Sequence, residues 1–166
     1  AENPDIGAVV DLALRCVVSA LKVPAGALML VQRDYLQVRS QSGLDPAYAD
    51  AFRVPVGDSV FGSATISGQP AGFSGKDEES LRGPWSAHKH PFGLVGSALA
   101  VPLHGPDAYR RGEALGCLAV FRPESAAFTP AETSVLATLA GELAIAFQVA
   151  QTRQALAWRM WRNARQ

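Results

Sequence analysis

Two of the chain's three histidines stand one residue apart in Ser86-Ala-His-Lys-His-Pro-Phe-Gly93, just after Trp85. On an extended segment, side chains at i and i+2 point the same way, so His88 and His90 could converge on one ion or on one flat ring. Zinc would need further ligands, from Asp77, Glu78, Glu79 or His104, and no spacing fixes them. A haem iron needs one histidine aimed into an apolar cavity, which Phe73, Trp85 and Phe92 could line. The plainer reading is a pair of loop histidines that shape a cover. No metal site is expected.

Thiol chemistry has less to work with. Cys16 and Cys117 both lie in apolar runs, "ALRCVVSAL" and "ALGCLAVF", and are read as buried thiols without the spacing of a zinc knuckle or a redox pair. No nucleophile, base and orienting group fall into a recognisable set, and no phosphate-cradling loop or zinc-protease helix motif is present. The acidic run Asp77-Glu78-Glu79 reads as a solvated turn. The chain is therefore expected not to be an enzyme. Fifteen basic residues against 15 acidic ones give no general attraction to nucleic acid. The start, "AENPDIG", lacks the basic and apolar regions of a signal peptide, and the expected location is the cytoplasm.

These residues need a body to position them. Ile6, Val10, Leu14, Val17, Val18 and Leu21 follow a helical period between Pro4-Asp5 and Pro24. "AGALMLVQRDYLQVRSQSG" reads as two strands reversing at Arg33-Asp34. The second sets Leu36, Val38 and Ser40 on one face against Tyr35, Gln37 and Arg39 on the other. "DPAYADAF" suggests a short helix and "FRVPV" a brief strand. "GDSVFGSATISGQP" suggests a helix capped by Asp58 or Ser59 and stopped at Gly68, whose Gly62, Ser63 and Ala64 would let it approach a sheet closely. The stretch from Gly72 to Gly93 reads as a long connection, a cover over a cavity. "LVGSALAVPL" and "EALGCLAVFR" form a second hairpin around a polar loop.

The last element has the clearest start. Thr129-Pro130-Ala131-Glu132 places a capping hydroxyl, a proline at the first helical position and a capping-box carboxylate in order. Val135, Leu136, Leu139, Leu143 and Phe147 make the expected buried stripe. Unbroken from Pro130 to Gln166, this helix would run about 55 Å, longer than a domain of this size is wide. Leu136, Leu143, Ala150 and Ala157 recur at heptad spacing, as do Leu139, Ala146, Arg153 and Met160, which predicts pairing with a second copy. The predicted fold is α+β, a central antiparallel sheet with the N- and C-terminal helices packed on one face and a pocket on the other.

The order and phrasing of these elements resemble the GAF domain family, the sensory module of bacterial histidine kinases, cyclic-nucleotide enzymes and regulators of gene expression. The resemblance rests on the opening helix into "AGALMLV", on "SGLDP", on "VPVGDSVFGSATISGQPAGFS", and on "GSALAVPLHG" followed by "EALGCLAVFRPESAAFTPAETSVLATLAGELAIAF". It implies a sensory domain over residues 5–150 and a projecting signalling and dimerisation helix over 151–166. The implied function is non-catalytic sensing of a small molecule in a cytosolic signal-transduction protein, with an effector domain joined in the full-length chain. The implied partners are a second copy through the terminal helices and a small ligand. The Arg/Trp tail after Ala150 could alternatively rest on an acidic membrane or bind RNA, but the neutrality of the rest of the chain disfavours both, and neither nucleic acid nor membrane is expected. Phe73, Trp85, His88, His90 and Phe92 are the candidate pocket or lid residues. The ligand stays open between noncovalent haem and a small metabolite. A covalent bilin is disfavoured, because Gly72 to Gly96 holds no cysteine. The competing reading is a structural dimerisation module whose pocket is empty or filled by its own side chains.

Overall fold

The computed structural model describes residues 6–44, 46–56, 59–74, 96–104 and 115–165. Helix α1 (Ile6–Leu21) is followed by β1 (Ala25–Gln32), β2 (Tyr35–Ser42), α2 (Pro46–Ala51), β3 (Arg53–Pro55), α3 (Ser59–Ser67), β4 (Ala71–Ser74), β5 (Ser97–Leu103), β6 (Gly116–Arg122) and α4 (Pro130–Ala164). The strands form one antiparallel sheet in the order β3-β2-β1-β6-β5-β4. The fold is the α+β arrangement read from the sequence, with both terminal helices on one face.

Strand alternation sorts the core into two layers. Leu28 and Leu30 of β1, Leu99, Val101 and Leu103 of β5, and Leu118 and Val120 of β6 face α1 and α4. On α1 the facing residues are Val10, Leu14, Val17 and Leu21. On α4 they are Leu136, Ala140, Leu143, Ala144 and Phe147. Gly26 lets α1 settle on β1, since a Cβ there would lie 3.0 Å from Val18 Cγ1. The opposite layer holds Ala25, Ala27, Met29, Ala98, Ala100, Cys117, Ala119 and Phe121, covered by Phe61 and Ala64 of α3 and joined by Phe52 and by Val54 of β3.

Four expectations are corrected. Ala71–Ser74, read as part of a connection, is the edge strand β4, paired with Ser97–Ala100. Val135 is 43% exposed, so the buried stripe of α4 runs through Leu136, Ala140, Leu143, Ala144 and Phe147 instead. Ser40 does not share a face with Leu36 and Val38. A register shift between Leu28 and Met29 leaves Arg39 as an extra residue in β2, which turns Ser40 to the helix side. There its hydroxyl donates to the Asp11 carboxylate of α1. Cys16 is exposed, because the core positions of α1 fall on the opposite side of the helix.

Arg122 joins the sheet to the start of α4. Its Nη1 lies 3.1 Å from Glu132 Oε2, and its Nη2 donates to the carbonyls of Ala126 and Ala127. Its Nε donates to Ser97 Oγ, and the guanidinium stacks on Phe128 at 3.9 Å. Glu132 also accepts from Thr129 N–H at 2.9 Å, while Thr129 Oγ1 accepts from Glu132 N–H at 3.1 Å, closing the capping box. That backbone bond, more than the arginine beside it, holds the Glu132 carboxyl below the usual carboxylate range.

Candidate functional site

The face turned away from α1 and α4 is floored by small side chains. Pairing sets Ala27 opposite Ala119, Ala119 opposite Ala100, and Ala100 opposite Ala71, a row of four alanines across β1, β6, β5 and β4. The neighbouring row alternates small and large: Ala25, Phe121, Ala98, Phe73. Helix α3 lies over this floor and contacts β4, β5 and β6. Its Phe61, Gly62, Ala64 and Thr65 are buried, whereas Ser63 of the expected small-residue surface points outward. Phe61 packs edge-on against Phe52 at 6.0 Å and Phe121 at 5.7 Å, filling the space at one end of the row.

Two polar groups sit in this layer without a charge. Thr65 Oγ1 donates to the Phe61 carbonyl at 2.8 Å. Cys117 Sγ lies 3.8 Å from Met29 Sδ, and burial pushes its thiol pKa up to about 12, against a smaller opposing effect of Thr65. A thiol held that high stays protonated at neutral pH and is a poor nucleophile. Cys117 is buried as the sequence implied.

A cleft of about 390 Å3 opens at the β4 edge, lined by Pro70, Gly72, Phe73, Leu99, Phe128 and Thr133. Its volume falls in the range of small-molecule sites. It touches both the sheet and the first turn of α4. Of the five candidate site residues, Phe73 is placed on β4, 9% exposed, at the boundary of the alanine floor and this cleft. Trp85, His88, His90 and Phe92 lie outside the described residues. No group of three or more His, Cys, Asp or Glu among the described residues could hold a metal ion.

The protein-family model for the GAF domain matches residues 5–147, most of the chain. The chain belongs to the GAF family. No curated protein matches it. Among solved structures, the GAF domain of a phosphoenolpyruvate-protein phosphotransferase from Coxiella burnetii is 21% identical with a TM-score of 0.73. That match covers 92% of this chain and 88% of the other. The second GAF domain of DevS from Mycobacterium smegmatis is also 21% identical, with a TM-score of 0.70, covering 92% of this chain and 99% of that one. A free methionine-R-sulfoxide reductase from Neisseria meningitidis is 22% identical with a TM-score of 0.65, covering 93% and 83%. GAF domains thus occur both as parts of multidomain signalling proteins and as enzymes.

In this GAF domain the terminal helices each carry a second apolar stripe. Val9, Leu12 and Cys16 lie on the side of α1 away from the sheet, with Leu12 59% exposed. Val135, Ile145, Val149, Leu156 and Met160 lie on the side of α4 opposite its buried stripe. The heptad positions Leu136 and Leu143 are spent inside the domain's own core, so this second set is the apolar stripe that α4 leaves exposed. By length and composition α4 could cross a membrane, yet its Leu136-to-Phe147 stripe is packed on the sheet.

Proposed function

We propose that this GAF domain is a non-catalytic, small-molecule-sensing input module of a cytoplasmic signal-transduction protein, working as a homodimer. The carrying observation is the alanine row under α3, beside the cleft at Phe73. Alanines leave depth between the sheet and α3, and the cleft at the β4 edge gives an apolar ligand, a haem or a small metabolite, a place to enter. A ligand there would touch Phe73 on the sheet and Thr133 on α4 together. Its signal would then pass through α4 to an effector domain in the longer chain. Two-component and cyclic-nucleotide systems are the natural settings for such an effector.

Binding alone shifts nothing; the ligand must favour one packing of α4 over another. The outward stripes of α1 and α4 supply the second half of the device. Both face away from the sheet, so one copy can lay them against the same stripes of another as a two-fold contact. The thiols support the non-catalytic reading. Cys117 is buried and protonated, and Cys16 stands on the far side of the sheet from α3.

The competing reading, a dimerisation module with a self-filled pocket, draws on Phe61, Phe52 and Phe121, which already occupy part of the floor. Native mass spectrometry of the purified chain separates the two. The sensing reading predicts a retained small molecule on the native chain, with an absorption band if it is haem, and its loss in Ala119→Leu. A bare chain in both proteins, with unchanged subunit count, overturns sensing in favour of the structural module.

A further inference from the structure

The end of α4 has its own chemistry. From Leu143 to Gln166 the sequence holds Arg153, Arg159, Arg162 and Arg165 and no acid. Residues 152–165 are all exposed. At helical spacing, Leu156, Ala157, Trp158, Met160, Trp161 and Ala164 share one broad side. Arg159, Arg162 and Asn163 fall on the rest of the circumference, while Arg165 falls between Trp158 and Trp161. Trp158 and Trp161 stack on each other at 5.0 Å and 17°, and Arg165 lies over Trp161 at 4.1 Å. Trp158, Met160 and Trp161 are 57%, 71% and 46% exposed. This is an amphipathic, basic, tryptophan-bearing surface about three turns long.

We propose that residues 153–165 dock on an anionic lipid surface, with the apolar side at the headgroup–acyl boundary and the arginines at the phosphates. Three occupants can be compared by what each leaves unpaired. A second copy laid along the stripe of Ile145 and Val149 would reach Leu156 and Met160 but leave Trp158 and Trp161, which lie far round the helix from that stripe, wet. A nucleic acid would neutralise the arginines and leave Leu156 and Met160 wet. It would also find the tryptophan faces already stacked on each other and on Arg165. An anionic membrane surface takes both sides at once, since indole rings settle at headgroup level and arginines attract acidic lipids. Arg153 and Arg165 fall within the apolar side, and their long stems let the charges reach the headgroups. The expectation of no membrane contact weighed these four charges against the neutrality of the rest of the chain; the proposal rests on the charges being joined by exposed tryptophans on the same segment.

The test is co-sedimentation of the chain with phosphatidylcholine vesicles, with and without phosphatidylserine. The proposal predicts binding only where phosphatidylserine is present, weakened by salt. Arg159→Gln with Arg162→Gln should weaken it about thirtyfold, from the usual worth of two cationic side chains near such a surface. Trp158→Ser with Trp161→Ser should abolish it. All four positions are exposed, and melting curves check that the fold survives. Equal binding to neutral vesicles, no binding to either, unaffected variants, or binding only to a polynucleotide would each overturn it. Val149→Glu, placed on the self-association stripe, should leave vesicle binding intact, which keeps this proposal separable from the dimer reading.

Discussion

The two faces of the sheet are made by alternate residues of the same strands, yet they differ in volume. Toward α1 and α4 the strands present Leu28, Leu30, Leu99, Val101, Leu118 and Val120. Toward α3 five of the eight residues of these strands are alanine, Ala25, Ala27, Ala98, Ala100 and Ala119, with Met29, Cys117 and Phe121 among them. Branched side chains interdigitate with helices and hold them at a fixed distance. Alanines leave the filling to whatever lies above, here α3 with Phe61 at one end of the row. One face therefore secures the fold, and the other is free to be tuned. The division also explains how one helix can serve both roles. α4 is bound to the first face along Leu136 to Phe147, and its Thr133 lines the cleft at the β4 edge with Phe73.

The sharpest way to break this comparison is to empty each face in turn. Leu136→Ala removes a fully buried side chain from the helix layer and should cost about 2–5 kcal/mol in chemical denaturation. If the loss is small, the helix face is not the stabilising one. Overfilling the other face is milder: Ala119→Leu should cost about 1–3 kcal/mol because α3 must shift. A neutral result there would mean the floor already has room.

A smaller effect sharpens the link between faces. The Glu132 carboxyl is depressed in the folded chain by its bond from Thr129 N–H and by Arg122, so its contribution is present above the ordinary carboxylate pKa, 4.5. It is lost as pH falls through the lowered folded value. The melting difference between native protein and Glu132→Gln should therefore shrink as pH drops below 4.5. A difference that stays constant from neutral to acid would show that charge plays no part in the clamp.

What the sequence made legible follows from how local each signal is. The capping box at Thr129–Glu132 lies within four residues, and the structure closes it as the spacing implied. The core stripe of α1 was readable for the same reason. β4 was not, because Ala-Gly-Phe-Ser has little strand propensity and takes its form from pairing with β5. The bulge at Arg39 is invisible to alternation, so Ser40 was put on the wrong face. Cys16 was misplaced because apolar neighbours surround it in sequence, though its helical angle points outward. The alanine row was the missed site signal. "AGA", "SALA" and "CLAVF" each show alanine on one face of a strand, but only the register of four strands aligns them. Of the five candidate residues Phe73 stands beside that row, while the other four lie outside the described residues.

The claim on which the account turns is that the outward stripes of α1 and α4 join two copies. Sedimentation equilibrium of the native chain beside Leu12→Glu with Val149→Glu tests it most directly. Both side chains are exposed, 59% and 45%, so the fold should survive. The account predicts a dimer for the native protein and a folded monomer for the variant; a native monomer, or a variant that still dimerises with the same affinity, would contradict it.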